Sequence, residues 1–379
     1  MTGSRIPGPA RLAMIVLGST LALSVWGVPG AMAQTLVPER IGTAELQLSE
    51  NGSIALLADE ITACTIDSHE VRIHCVDRAG TTVGIFGREG EGPGEFRRLT
   101  RLGGGSEGTV GALDIGAFRF SVFEANGTRV ADVPLLDLAF PLHPVGRFGE
   151  TVSILGFSTV DPYVVLEGAG SGRLYTLDEV AIASGEVVRK VDLPPVDAEV
   201  ECGEIHYGFP DPAGGWVFVA CEGHLVFVAE DGATTVIQAP TYTGELAGER
   251  DIAERSESLS SFNRVVARSG AGGAVDPTEL EGYRTTPKNY HLLSGQQKFD
   301  EEGRLWIATQ RDRDEFSYID VYSPGDATYF GSVRIDGRLQ GFDLVGATLA
   351  VVVERQITPD DPDGIPDRAV DWYDVGEWR

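Results

Sequence analysis

Shifting the chain on itself by 47 residues aligns two stretches without a gap, and this repeat limits the fold more than any other feature. Thr62–Asp67 falls on Thr109–Asp114, Arg72–Asp77 on Arg119–Glu124, and Gly80 on Gly127. Each unit reads as strand, tight turn, strand, glycine turn, strand. Short apolar runs alternate with Asp, Asn and Gly, which suit tight turns. A period of about 40–50 residues with several strands per unit marks a propeller blade. The pattern returns more loosely at Trp216–Cys221 and Leu225–Gly232, at Arg304–Thr309 and Tyr318–Tyr322, and at Leu349–Glu354 and Ala369–Tyr373. Counting units places blades near 52–87, 98–135, 140–194, 203–238, 290–336 and 338–379. The expected fold is all-β, a six-bladed β-propeller, with a seven-bladed ring as the alternative. The sequence leaves the register within 140–194 open. Strand Thr43–Leu48 is left over, and is expected to add the outer strand of the last blade and close the ring.

One stretch, 241–289, fits no blade. Ile252, Leu259, Phe262 and Val266 recur at helical spacing, so a short amphipathic helix is expected within 251–268, ended by the glycines of 269–273. Such an insertion either caps the central funnel or decorates the outside.

Gly84–Phe96 carries five glycines and a proline after an apolar strand end. A phosphate cradle is excluded: no Gly-Lys-Ser/Thr follows, and Glu89, Glu91 and Glu95 repel an anion. The run Phe86-Gly-Arg-Glu-Gly-Glu-Gly-Pro-Gly-Glu-Phe96 resembles the blade junction of NHL-type propellers, nearest to the exported bacterial 6-bladed β-propeller proteins. The resemblance implies that this stretch joins the outer strand of one blade to the inner strand of the next. It implies no reaction.

Residues 1–33 read as a secretory signal peptide: Arg5 and Arg11, an apolar run Leu12–Val28, and Ala31-Met32-Ala33 as the cleavage site. The propeller domain would then span 34–379, periplasmic or secreted. Gly18, Gly27, Pro29 and Gly30 interrupt the run and no stop-transfer charges follow, so no membrane insertion is expected after cleavage. The four cysteines suit an oxidising compartment and fall as two local pairs, Cys64 with Cys75 and Cys202 with Cys221, each across a hairpin. Zinc lacks a CxxC spacing here. The net charge of −27 disfavours nucleic acid and anionic membranes as partners.

Six histidines are present. His69, His74 and His224 read as surface residues of hairpins and turns. His143, His206 and His291 each sit near a blade start, where three imidazoles could converge on a zinc ion and leave a position for water. The peptide-amidating lyase, an NHL-type propeller, is similar in holding a channel zinc by histidines; the likeness rests on architecture and these three residues. Calcium is poorly supplied. Only four asparagines occur, and in Asp360–Asp367 the first ligand position of the aspartate loop is Pro359. Ser256, Ser258, Ser260 and Ser261 lack a local His/Asp signature and read as a polar helix face.

No catalytic residue, cofactor or ligand contact is assigned from sequence. The favoured reading is an exported binding or interaction module for a peptide, glycan or protein. The rivals are a metal-dependent lyase or hydrolase working in the channel, and a structural subunit of an envelope assembly. Elemental analysis of purified, tag-free protein separates the first two: a stoichiometric metal favours the enzyme, and none leaves binding in front.

Overall fold

The computed structural model describes residues 34–46, 52–138, 140–158, 174–192, 205–256, 259, 277–292, 296–313, 316–355 and 367–378. Two short strands come first, β1 (Gln34–Leu36) and β2 (Glu39–Leu46). Blade 1 is β3 (Ile54–Leu56), β4 (Thr62–Asp67), β5 (Arg72–Asp77) and β6 (Thr82–Phe86). Blade 2 is β7 (Leu99–Gly104), β8 (Thr109–Asp114), β9 (Arg119–Glu124) and β10 (Arg129–Pro134). Blade 3 is β11 (Phe140–Val145), β12 (Thr151–Ser158), β13 (Leu174–Ala181) and β14 (Val187–Asp192). Blade 4 is β15 (Ile205–Pro210), β16 (Trp216–Ala220), β17 (His224–Val228) and β18 (Thr234–Gln238). Helices α1 (249–256) and α2 (Pro277–Thr285) follow. Blade 5 is β19 (Gln297–Phe299), β20 (Leu305–Ala308), β21 (Phe316–Ser323) and β22 (Thr328–Asp336). Blade 6 is β23 (Arg338–Val345), β24 (Thr348–Glu354) and β25 (Arg368–Asp374), completed by β2. The ring is a six-bladed β-propeller, as the repeat predicts.

The 47-residue shift carries β4 onto β8 and β5 onto β9. The same turn follows in both blades. Asp67 accepts the N–H groups of His69 and Glu70, and Asp114 those of Gly116 and Ala117. Within blade 1, burial falls toward the outside: β4 is buried along its length, whereas the outer strand β6 has no buried residue. The apolar core is a set of seams between blades. Ile66 and Cys75 pack with Phe96, Leu102 and Val110 across blades 1 and 2. Phe120 and Val133 pack with Phe148 and Ile154 across blades 2 and 3. Trp372 and Val352 pack with Ile54 and Leu56 across blades 6 and 1.

The N-terminus closes the ring. β2 pairs antiparallel with β25 from Glu39↔Asp374 to Leu46↔Arg368. Asp371, fully buried, accepts hydrogen bonds from Thr43 Oγ1 at 2.6 Å, Arg355 at 2.8 Å and Arg40 at 3.3 Å. β1 was not anticipated: it pairs parallel with β22 as a fifth strand of blade 5, Gln34↔Gly331 to Leu36↔Val333.

The glycine-rich connector leads from outer strand β6 to inner strand β7, as the resemblance implies. Phe96 is buried and meets Phe123 edge-on at 6.0 Å. A Cβ on Gly87, whose φ is +93°, would stand 2.7 Å from the Phe96 ring. Glu95 folds back onto the connector, accepting from Gly92 N–H at 2.8 Å and Arg88 Nε at 2.7 Å.

Cys64 and Cys75 are directly paired on β4 and β5 and form a disulfide with a Cα–Cα distance of 4.0 Å. It contributes roughly 3 kcal/mol by restricting the unfolded chain. Cys221 is also disulfide-bonded; its expected partner, Cys202, lies outside the described residues. The surface reading of His224 is corrected: it is buried at the start of β17, where its Nδ1 meets the Cys221 carbonyl at 3.0 Å. His74 is half-buried, because its strand lies inside blade 1.

The expected helix begins at residue 249, and most of its second half lies outside the described residues. Asp251, third in α1, accepts the N–H of Gly248 just before the helix, half of a capping box. Asp251 and Glu254 then receive Arg338 at 2.7 and 2.6 Å, at the first residue of β23. Arg313 adds a contact to Glu254 at 3.2 Å, and Lys288 one to Asp251 at 3.1 Å. α2 had no signal in the helical spacing; it opens on Pro277, which suits a first helical turn.

Replacing Asp371 with Ala removes three donors' acceptor at the ring closure. The arginines are partly solvated, so the cost is about 2 kcal/mol. Urea unfolding is expected to show that loss, with earlier proteolytic release of residues 34–46; unchanged stability would mean that β2 closes the ring without it.

Candidate functional site

Four of the six inner strands carry a bulge near their start, at Leu99/Arg101, Pro141/His143, Ile205/Tyr207 and Leu339/Gly341. A bulge re-aims the residues that follow it. Those residues line a central cavity of about 290 Å³ to which the inner strands of all six blades contribute. The cavity lies toward the end of β23, at Phe342–Gly346, whereas α1 is tied to that strand's first residue. The insertion and the cavity therefore sit at opposite ends of blade 6's inner strand.

Much of the wall is apolar: Leu102, Pro144, Phe209, Phe299, Phe342 and Leu344, with Phe209 and Phe299 edge-on at 6.1 Å. Its charged and amide-bearing groups are the cations Arg101, Arg147 and Lys298, the acids Asp300, Glu301 and Asp343, and the amides Gln296 and Gln297. Arg147, just past the end of β11, crosses from blade 3 to blades 1 and 2. Its Nη1 donates to the Leu56 carbonyl at 2.9 Å and its Nη2 to the Gly105 carbonyl at 2.8 Å. The Leu56 N–H donates to Asp343 at 2.9 Å, and Lys298 Nζ reaches the other Asp343 oxygen at 3.2 Å. Arg147, Leu56, Asp343 and Lys298 thus form a polar chain through blades 3, 1, 6 and 5, with a branch to blade 2 at Gly105. Gln296 Nε2 donates to the Gln340 carbonyl at 2.9 Å.

Of the three histidines expected to converge, His143 lies in the cavity wall. It is buried, with Nδ1 3.2 Å from the Pro144 carbonyl. Burial, reinforced by the charges of Arg101 and Lys298, pushes its imidazole down to about 3, so it is neutral at pH 7. His291 is not part of the cavity wall; it pairs with Thr309 in a lone bridge and is packed between Tyr290 and Tyr322. His206 falls at the bulge of β15, and its side chain lies outside the described residues. Among the described residues, no three His, Cys, Asp or Glu side chains stand close enough to hold a metal ion. Most of the Asp360–Asp367 loop is outside the described residues.

The channel cations carry no mark in the sequence; they read as ordinary surface charges. One faint signal is Gly103-Gly104-Gly105, an unusual run for a strand end. A Cβ on Gly104 would come 2.8 Å from Arg147 Nη2, so glycine there makes room for the guanidinium.

A second polar cluster ties the base of the insertion to blade 5. Asp320, fully buried, accepts from Ser332, Tyr290 at 2.8 Å and Thr241 at 3.2 Å, with Arg311 at 3.8 Å. Burial raises its carboxyl above the usual range despite these donors. The adjoining cavity, about 10 Å³ between Tyr242, Lys288, Tyr290 and Arg311, has room for about one water. This cluster braces the fold and offers no ligand space.

No protein-family model and no curated protein matches the chain. Solved structures that it resembles include a protein from Bacteroides fragilis called exported, 12% identical, covering 89% of this chain and 95% of that one, with a TM-score of 0.45. A streptogramin B lyase is 10% identical over 87% of this chain and 96% of its own, with a TM-score of 0.45. Regucalcin, a calcium-binding protein from Agrobacterium tumefaciens, is 13% identical over 90% and 97%, with a TM-score of 0.43. At these values none of them transfers a function.

His143 and His291 together make stability depend on acid. His291 has no hydrogen-bond partner on either ring nitrogen among the described residues, and burial pushes it, too, down to about 3. Between about pH 6.5 and pH 3 the unfolded chain binds protons at both sites and the native chain does not. Their contribution is complete above pH 6.5 and is lost as the pH falls, at about 1.4 kcal/mol per pH unit for each histidine. Urea unfolding from pH 7 to pH 5 is expected to show a shallower slope in His291→Phe than in the native sequence; equal slopes would contradict its neutral burial.

Proposed function

We propose that the protein is an exported binding module that takes its ligand into the central channel. The observation that carries this reading is the cavity itself, walled by all six inner strands, apolar in its greater part and set with a few fixed polar groups. That is the usual make-up of a small-molecule site, and about 290 Å³ is near the lower end of such sites. The volume suits a small molecule, or the end of a peptide or glycan, better than a folded partner. The rigidity of the wall favours binding: Arg147, Asp343 and Lys298 are held by contacts to other blades, so little ordering is needed when a ligand arrives. The disulfide between Cys64 and Cys75 fits a periplasmic or secreted location, to which residues 1–33 would direct the chain.

A thermal-shift screen of the purified protein against neutral, cationic and anionic small molecules tests the site. Ligands at a hundred times their Kd are expected to add about 2.7 kcal/mol of stability, a midpoint rise of a few degrees. Val345→Trp fills part of the cavity and is expected to abolish the shift. Absence of any stabilising compound, or equal shifts in the variant, would reject the channel as the ligand site.

A further inference from the structure

We infer that the channel's ligand is an organic anion, with a carboxylate on Arg147 and an apolar body against Phe209, Phe299 and Phe342. This rests on the channel being the ligand site and specifies what it takes.

Arg147 is the decisive group. The chain has a net charge of −27, and many of its arginines lie against acids: Arg40 and Arg355 on Asp371, Arg338 on Asp251 and Glu254, Arg368 on Glu354. Arg147 differs. Among the described residues its guanidinium donates to two carbonyls and to no carboxylate. A guanidinium has five N–H donors, so three remain, on Nε and both Nη atoms. These are the donors that take a carboxylate in a two-pronged, charge-assisted contact.

The seat is built for that side chain. Gly104 has no positive φ that would demand glycine, yet a Cβ there would stand 2.8 Å and 2.9 Å from the two Nη atoms. The acids of the cavity wall are occupied elsewhere. Asp343 holds the Leu56 N–H and Lys298. Asp300 holds Trp306 Nε1, Arg304 and the N–H groups of its own turn. Glu301, the remaining acid of the wall, is exposed, as Arg147 itself is. The positive centre is therefore fixed before any ligand arrives. The phenylalanines of the same cavity call for an apolar body, which sets this site apart from one for a bare inorganic anion.

Matched acid and amide probes test the inference: benzoate with benzamide and 4-phenylbutyrate with 4-phenylbutyramide, measured by calorimetry at pH 7, with sulfate as the inorganic control. The carboxylate is expected to bind about tenfold or more tighter than its amide, since a hydrogen bond to a charged partner supplies about that factor. In Arg147→Gln the ratio is expected to fall to about one, with most of the loss in the carboxylate's affinity, and Gly104→Ala should lower it by displacing the guanidinium. Equal binding of acid and amide to the native protein overturns the anion inference while leaving the channel a binding site. Sulfate binding as tightly as the carboxylates overturns the apolar body. Binding of neither member of either pair overturns the inference together with the channel reading on which it rests.

Discussion

A four-stranded sheet whose middle strands are apolar on both faces cannot stand alone in water; each face needs another sheet against it. That requirement dictates this molecule. Each blade supplies one wall of two seams, and the largest buried side chains, among them Trp306, Trp372, Phe96 and Phe120, lie in those seams. The arrangement is satisfied only by a closed ring, because an open row would leave two bare faces. A central cavity is then a by-product of geometry. Six inner strands cannot meet on the axis, and what fills the space between them is decided by side chains on the inner strands alone.

Those inner-strand residues divide the molecule into two ends with different work. At the start of β23, Arg338 is fully occupied by Asp251 and Glu254 of α1, with Arg313 packed beside it. Desolvating so many charges brings little net stability, but it fixes where α1 lies. At the other end of the same strand, Lys298 is paired with Asp343, and Arg147 is tied to two backbone carbonyls and keeps donors in hand. One end is balanced and closed. The other is fixed in position and leaves N–H donors of Arg147 open, which is the condition for recognising something from outside.

The ring was legible in the sequence where its units are unadorned. Blades 1 and 2 have short turns, so β4 and β8 keep one spacing and their closing aspartates, Asp67 and Asp114, keep one role. The Cys64–Cys75 pair followed from the hairpin between them. The spare strand at 43–48 was legible because the last blade lacked a fourth strand; the observed β2 begins four residues earlier. β1 was not, since three residues, Gln34–Leu36, carry no alternation and their partner lies on another blade. The cavity was the least visible part. Arg101, Arg147 and Lys298 gain their meaning from bulges and inter-blade hydrogen bonds, and neither follows from local spacing. His224 was misread for a similar reason: a turn position suggested exposure, and the preceding three-residue helical turn instead folds its carbonyl over the ring.

The closing pair β2 and β25 brings together residues such as Thr43 and Asp371, 328 positions apart. Contacts so remote in sequence form late, because most of the chain must be in place first. The first strands of the domain to be synthesised have no partner until the last have emerged. The ring therefore cannot lock while the chain is still being made, and the step that completes the fold waits for β25 to arrive.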